Sequence, residues 1–375
     1  MTFATPPHLV RLKFNRLVVF LFQIILVLAS ADGTAAATPK IFRYRNPISD
    51  GIDPRGLRDC QVFRDGDKWY LTGTAYPVWP KEDTFGQLNP GVPLYSSDDL
   101  VHWKFERILV RPNPDKWYFM RFWSPEIQKI KGKYYLNMHC RNPDLFGNNL
   151  LRMGYAVADQ LMGPYKVIDQ PLGLGNDLHF FVDDDNAVWA FWNGVMEPGN
   201  DKAAVRAFGV ACARFDLEAG KFLTPPVKVL DYGREGKDWD GIGMEGEYVI
   251  KRNGIYYLFY SSWSRGYEIG YATARKVTGP WTKFTGNPIY GGQDPAYCKK
   301  SGVPYTGDPK APFAHAGYTC IFVGPDGRNW LSCHGILAAD PKQVPMPMIE
   351  PLEFDADGKI IIHGPDLAMR EIPIP

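Results

Sequence analysis

The chain has 375 residues, and its 42 basic side chains stand against 41 acidic ones. That balance excludes the strongly basic surfaces of nucleic-acid binders and suits a neutral partner. Aromatics reach 14%, and 37 Gly with 32 Pro favour many short strands joined by tight turns over long helices.

In chain order, the first segment differs in kind from the rest. Arg11, Lys13 and Arg16 precede the apolar run Leu17 to Leu28, and small residues follow at Ala29-Ser30-Ala31 and Ala35-Ala36-Ala37. A basic region, a short apolar core and A-x-A sites make a secretory signal peptide. The run of about twelve residues falls short of the ~20 that a stable membrane span needs. Residues 1–37 are therefore expected to be a signal peptide and cleavage region. The mature chain, 38–375, is expected to be secreted or periplasmic, with no membrane span.

Beyond residue 41 no linker or charge block divides the sequence, and a repeat emerges. Five times a turn residue introduces a short aromatic strand: Gly66 before Trp69-Tyr70-Leu71, Gly132 before Tyr134-Tyr135-Leu136, Asn186 before Val188-Trp189-Ala190, Gly254 before Tyr256-Tyr257-Leu258, and Gly327 before Trp330-Leu331. A period of roughly 55–70 residues with one aromatic strand each marks radial β repetition, a propeller. Gly154-Tyr155-Ala156-Val157-Ala158 with Gly163-Pro164-Tyr165 is echoed by Gly270-Tyr271-Ala272-Thr273-Ala274 with Gly279-Pro280-Trp281 at identical spacing. The predicted fold class is all-β, one five-bladed β-propeller over 38–375 with a central substrate pocket. Blades are expected near 52–115, 116–170, 171–235, 236–290 and 305–350, with Lys359–His363 returning to close the ring. Segments 75–94, 195–206 and 287–312 read as loops able to shape a pocket. The cysteines Cys60, Cys140, Cys212, Cys298, Cys320 and Cys333 include no C-x-x-C pair, so sulfur-based metal or redox chemistry has no support. Each reads as a buried thiol, although export permits disulfides and Cys320 and Cys333 fall on one expected hairpin.

Just upstream of the aromatic strands lie Asp59, Glu126, Asp177, Glu245 and His315. If each repeat is a blade, these five occupy corresponding positions and converge on one axis. An ionisable group opening a β run is ordinarily a solvated strand end; three acids from three blades around one pocket are a different matter. Two facing carboxylates suit glycosidic cleavage, one protonated to donate to the departing oxygen and one ionised to activate water, about 6.5–9.5 Å apart when a water must fit between. A third carboxylate, by repulsion, helps the acid keep its proton near neutral pH. Glu247 shares a strand face with Glu245 under period-two alternation and is the rival acid.

These blocks carry a family resemblance. Asp59-Cys60-Gln61-Val62-Phe63-Arg64-Asp65-Gly66-Asp67-Lys68-Trp69-Tyr70-Leu71-Thr72 resembles the opening block of glycoside hydrolase family 43. Trp123-Ser124-Pro125-Glu126 resembles its second-blade Trp-Ala-Pro-Asp, Asp177 to Asp185 its third-blade Asp-Pro-Ser-aromatic-aromatic-Asp-Asp block, and Glu245-Gly246 to Leu258 its fourth-blade Glu-Gly-Pro block. The resemblance runs from about 43 to 340. It implies a propeller that hydrolyses glycosides with inversion, Asp59 being the general base, Asp177 the pKa modulator and Glu245 the general acid. His315 resembles the fifth-blade histidine that helps hold a water or a calcium ion, so a water-mediated metal contact is expected there. No cofactor is required; a structural or active-site calcium is the ion implied. The sequence departs from the pattern at Cys60 and Leu178, where proline is usual, and at Glu126, where Asp is usual, which puts the substrate in doubt more than the mechanism.

Around the acids, Arg58, Phe122, Trp123, Glu126, His179 and Trp192 are the expected substrate-binding residues, the aromatic ones as platforms for a sugar's C–H face. The reading that results is a secreted inverting glycosidase on oligosaccharides or polysaccharides, of arabinofuranosidase or xylosidase type. The alternatives are another five-bladed glycosidase, such as a neoagarooligosaccharide or galactoside hydrolase, and a carbohydrate-binding propeller without catalysis.

Overall fold

Each aromatic repeat forms the second strand of an antiparallel sheet, and five such sheets stand around one axis as a β-propeller. The computed structural model describes residues 40–76, 90–194, 209–233 and 238–375. The expected signal peptide, the expected loop 195–206 and most of the loop 75–94 lie outside the described residues.

Blade I runs outward through Leu57–Asp65, Lys68–Ala75, Val92–Ser97 and Lys104–Val110. Blade II comprises Met120–Ile130, Lys133–Arg141 and Arg152–Ala158, with Lys166–Val167 and Gly173–Leu174 at its edge. Blade III comprises Asn176–Val182, Val188–Asn193 and Val210–Asp216, edged by Lys221–Phe222 and Val227–Leu230. Blade IV comprises Glu245–Arg252, Ile255–Ser262 and Gly266–Ala274, edged by Thr282–Lys283 and Tyr290–Gln293. Blade V is Phe313–Val323, Asn329–Leu337, Pro345–Phe354 and Ile360–Ile362. The turn residues Gly66, Gly132, Asn186, Gly254 and Gly327 all take positive φ, the conformation a tight hairpin demands and glycine or asparagine tolerates.

Among the described residues the core is divided by the blade interfaces, one cluster at each of four and two between blades IV and V. Phe181, Phe191 and Val210 of blade III, for instance, pack against Met244, Leu258 and Tyr260 of blade IV. The blade I–V interface is built the same way, from Leu57, Trp69 and Leu71 against Phe322, Trp330 and Ile349. A closed ring buries both faces of every sheet, which is why the second strands are apolar and aromatic throughout rather than alternating.

Ring closure differs from the expectation. Ile360–Ile362 pairs with Leu352–Phe354 and is simply the outer strand of blade V. The seam is sealed by the stretch ahead of blade I: Lys40–Tyr44 pairs with Arg370–Ile374, and Tyr44 and Ile48 enter the I–V core. Asn46 clamps the third strand of blade V, its Nδ2 donating to Ile349 O at 2.8 Å and its Oδ1 accepting from Ile349 N at 3.0 Å. The segment 287–312 is also more ordered than a loop. It holds the edge strand Tyr290–Gln293 and a short helix, Pro295–Ser301, begun by the Asp294 side chain and Pro295 and ended at Gly302 in the left-handed conformation.

All six cysteines are buried free thiols. Cys320 stands opposite Ser332, so Cys333, one residue on, points to the other face of the sheet and cannot meet it. No helix among the described residues is long and apolar enough to cross a membrane.

Candidate active site

The site is built on one irregularity repeated five times. In every blade the innermost strand slips register against the second, so that three residue steps oppose two: between Arg58 and Gln61, Trp123 and Glu126, Asn176 and His179, Glu245 and Tyr248, and Gly317 and Cys320. The residue just after the start of each bulge takes positive φ: Asp59 (53°), Ser124 (48°), Asp177 (58°), Gly246 (67°) and Tyr318 (65°). Bulges re-aim side chains. Here they turn the first two residues of the irregular stretch in blades I to III, and Glu245 in blade IV, toward one end of the axial channel.

Opposite each bulge a polar side chain ends the second strand: Thr74, His139, Asn193, Ser261 and His334. Each latches the next blade round the ring. Thr74 Oγ1 accepts from Ser124 N at 2.8 Å, His139 Nδ1 from Asp177 N at 3.2 Å, Ser261 Oγ from Tyr318 N at 3.0 Å and His334 Nδ1 from Asp59 N at 3.2 Å, while the Asn193 amide donates to Met244 O. An imidazole that accepts through Nδ1 carries its proton on Nε2. Burial and the nearby Arg58 push His334 well below the ordinary histidine range, and burial with Arg121 and Arg58 brings His139 down to about 3. Both rings are therefore neutral, and the approaches of His139 Nδ1 to Asp177 Oδ1 (3.4 Å) and of His334 Nδ1 to Asp59 Oδ1 (3.6 Å) are contacts, not ion pairs.

The bulges open on a cavity of about 710 Å³ whose wall includes Arg58, Asp59, Trp123, Ser124, Asn176, Asp177 and Glu245. Asp59 Oδ2 accepts from the Thr74 hydroxyl at 2.7 Å, and Arg58 Nε lies 3.3 Å from its Oδ1. Arg58 reaches onward, with Nη2 at 3.5 Å from Glu245 Oε1 and the guanidinium 5.1 Å from the centre of the Tyr267 ring. Tyr267 OH donates to Glu245 Oε1. Gly317 makes room for that ring, since a Cβ there would lie 2.0 Å from Tyr267 Cδ1. Asp177 Oδ2 accepts from Gly246 N at 2.9 Å and from Asn176 Nδ2 at 3.0 Å.

Two of the three carboxyls, Asp59 and Glu245, thus share one guanidinium. Burial, then the charges of Glu245 and Asp59, push Asp177 up to about 8. Burial also raises Glu245, against the pull of Arg58 and the Tyr267 hydroxyl. Repulsion between carboxylates is mutual, so the Asp177–Glu245 pair holds on to a proton well above the usual carboxylate range. Of the three acids Glu245 is the most open, its side chain 23% exposed against 4% for Asp59 and 2% for Asp177.

Several expected site residues stand elsewhere. Asp59 and Asp177 are equivalent, but Glu245 precedes its bulge residue Gly246 by one, Glu126 follows Ser124 by two and His315 precedes Tyr318 by three. Glu126 and His179 sit below the pocket, in a second ring of channel-filling latches. His179 Nε2 accepts from Val249 N at 3.2 Å, so Nδ1 carries the proton and meets Glu126 Oε1 at 2.9 Å. Gln61 serves the same ring, donating to Ile127 O at 2.9 Å. His179 borders a separate hollow at the other end of the channel, with Gln128 and Tyr248. Phe122 is wholly buried in the I–II core, and Trp192 is buried in the II–III core against Phe222. None of these four stands on the pocket wall: nearness to the acids in sequence suggested them, but Glu126 and His179 lie beyond the register slip, and Phe122 and Trp192 face the blade interfaces. The same slip separates Glu247 from Glu245: Glu247 is buried off the pocket, with neither side-chain oxygen hydrogen-bonded.

His315 does line the pocket, with Nε2 at 3.3 Å from Asp294 Oδ2. Among the described residues no cluster of three or more His, Cys, Asp or Glu is arranged to hold a metal ion. One imidazole and one carboxylate, whose Oδ1 already caps the helix, do not fit a directly coordinated calcium, which takes six to eight oxygens.

Residues missed by sequence reasoning complete the wall: His139, His334, Trp263, Tyr267 and Tyr297. A signal for the two histidines was present. Counted five residues on from Trp69, Tyr134, Val188, Tyr256 and Asn329, the repeat places Thr74, His139, Asn193, Ser261 and His334, a polar residue at the same step in every blade.

The sequence matches the family model "Glycosyl hydrolases family 43" over residues 44–360. It is 26% identical over 304 residues to xylosidase/arabinosidase 43B of Humicola insolens, covering 77% of this chain and 48% of that protein. It is 24% identical over 332 residues to the non-reducing end α-L-arabinofuranosidase BoGH43B of Bacteroides ovatus, covering 84% of this chain and 52% of that one. The chain thus spans about half the length of these two relatives. In fold it is similar to the crystal structure of a thermostable family-43 glycoside hydrolase, with a TM-score of 0.69 at 24% identity, over 88% of this chain and 99% of that one. The match covers all five blades, and the chain belongs to glycosyl hydrolases family 43.

Proposed function

We propose that the protein is a secreted, inverting glycoside hydrolase that removes pentose residues, of arabinofuranosidase or xylosidase type, from oligosaccharides derived from polysaccharides. The observation that carries this reading is the convergence of Asp59, Asp177 and Glu245, from three blades, on one pocket with Arg58 between two of them. The two relatives bear xylosidase/arabinosidase and arabinofuranosidase names, which supports a pentose in the pocket. Export rests on the basic and apolar pattern of residues 11–28.

In the proposed reaction a sugar unit enters with its anomeric carbon between Asp59 and Glu245. Asp59, as the carboxylate held by Arg58 and the Thr74 hydroxyl, takes a proton from a water that attacks the anomeric carbon. The new C–O bond forms as the glycosidic C–O bond breaks on the opposite face. Glu245, whose hold on a proton burial strengthens, gives its proton to the departing oxygen. Asp177 touches neither reacting bond in this scheme; it shares the proton of the acid cluster with Glu245, and its Oδ2 fixes the Glu245–Gly246 turn. No step runs through a metal ion. Trp123 and Trp263 flank the acids as platforms for the sugar ring.

The test is hydrolysis of aryl α-L-arabinofuranoside and aryl β-D-xyloside with the product anomer followed by NMR from the first seconds. Inversion at the anomeric carbon of either substrate is the expected result. Retention, or no turnover on a panel of aryl glycosides, would sink the assignment.

A further inference from the structure

A second hollow, of about 650 Å³, lies on the flank of blade I, within the size range of small-ligand sites. Its floor is the chain from Gly51 to Leu57, and its walls include Tyr76, Tyr95 and Phe105. Arg55 and Tyr76 line both this hollow and the acid pocket, so the two are adjacent. The partition between them is thin. A Cβ at Gly56 would come within 2.9 Å of the carbonyl oxygen of Pro345, which itself lines the acid pocket.

The hollow has the chemistry of a sugar site. Phe105 is 49% exposed and Tyr76 42%, both large rings presented to solvent beside a cavity. Phe105 is held by the edge of Tyr95, with ring centres 5.6 Å apart at 72°, which leaves one face open. Between the rings Arg55 is fixed in a fork, its Nη2 at 2.7 Å from Asp53 Oδ2 and its Nε at 3.0 Å from Asp53 Oδ1, with the guanidinium 5.6 Å from the Tyr76 ring centre. Asp53 neutralises that charge, so the site offers paired donors and acceptors without a net field. Such a surface fits the hydroxyls and C–H faces of a neutral sugar, and not an anionic chain or a cationic peptide.

We propose that this hollow is a second glycan-binding site, holding neutral sugar residues of the same chain whose terminal unit lies among the acids. The proposal rests on the glycosidase reading of the pocket and adds that the enzyme grips a chain, not only its last unit. The geometry assigns Phe105 as the open platform and the Asp53–Arg55 pair as the hydroxyl-binding edge.

The test uses the full chain and the variant Phe105→Ala, on the edge of blade I, with Phe105→Trp as the restoring variant. The first readout is the ratio of kcat/KM for arabino- or xylo-oligosaccharides of five or six units to that for the matching aryl monoglycoside. That ratio should fall about five- to tenfold in Phe105→Ala and recover in Phe105→Trp. The second is retardation in native gels containing arabinan or arabinoxylan, with Glu245→Gln as the background so that no polymer is consumed. Retardation should be lost with Phe105→Ala and kept with Phe105→Trp. An unchanged ratio together with unchanged retardation would overturn the proposal, as would a parent protein retarded by neither polymer. Phe105-dependent retardation without hydrolysis of any glycoside would instead leave this site standing and remove the catalytic reading.

Discussion

The seam between blades I and V should be sensitive to pH through one buried carboxyl. Glu350 accepts from Tyr44 OH at 2.9 Å and from Asn46 Nδ2 at 2.9 Å, and so ties the segment ahead of blade I to the third strand of blade V. Arg370 Nε at 3.7 Å and the nearby Asp366 are the charged groups that face it. Burial outweighs these donors and raises Glu350 from the ordinary 4.5 to about 7. A native carboxyl that holds its proton more tightly than the unfolded chain stabilises the fold most below pH 4.5, and that contribution is lost as pH climbs to about 7. At about 1.4 kcal/mol per pH unit the whole effect is about 3 kcal/mol. Glu350→Gln keeps the shape and removes the ionisation. The assay is urea unfolding of wild type and variant at pH 4.5, 6 and 8 at fixed ionic strength, read as the difference between the two so that all other groups cancel. Relative to wild type, the variant should gain about 3 kcal/mol between pH 4.5 and pH 8. A difference that stays constant across that range would refute the assignment of a shifted carboxyl to the seam.

Three further outcomes bear on the site. Asp59→Asn should lower kcat about 10²–10⁴-fold on every glycoside, because general-base assistance to water is lost whatever the leaving group. Glu245→Gln should spare 2,4-dinitrophenyl glycosides and cripple alkyl glycosides and natural oligosaccharides, and a leaving-group series with equal losses throughout would contradict its role as the acid. His334→Leu leaves the Asp59 amide without an acceptor, which should cost about 1–3 kcal/mol in urea unfolding, while His334→Gln should recover part of it through its own carbonyl.

Much of the fold was legible because the propeller repeats its turn chemistry. A left-handed turn residue followed by one or two aromatics needs no tertiary information, and it located the second strand of all five blades. Ring closure was not legible, because Tyr44 and Asn46 act on partners some three hundred residues away and belong to no repeat. The three acids could be picked out because each opens the β run that precedes an aromatic strand. Their neighbours could not be placed by alternation, since the register slip shifts every side chain beyond it by one. Glu126 and His179 were displaced from the pocket by that slip, and Glu247 was separated from Glu245 by it. His139 and His334 were overlooked for the opposite reason, that a histidine ending an aromatic strand looks like core until the fivefold register is known.

The bulge also explains why two of the acids are aspartates, and it leads to a trade between stability and activity. A non-glycine residue at positive φ costs about 1–2 kcal/mol, least for Asp and Asn, whose short side chains bond locally. Asp177 meets that cost with its Oδ2 bonds to Gly246 N and Asn176 Nδ2, but its Oδ1 is buried without a hydrogen bond. Its proton is held up to about pH 8 in the folded chain, against an ordinary 3.8, so at pH 7 the unfolded chain is the one that gains by ionising. Asparagine tolerates the same backbone, keeps one oxygen for Gly246 N and Asn176 Nδ2, and has no ionisation to suppress on burial. Asp177→Asn should therefore melt higher than wild type at pH 7, and the gap should close as pH falls below 4, where both forms of the wild type are protonated. Its turnover should drop at pH 7 as well, because Glu245 no longer shares a proton with a second carboxyl. A variant that melts lower than wild type at pH 7 but not at pH 4 would mean that Asp177 is ionised in the folded protein and that the proton of the acid cluster resides elsewhere.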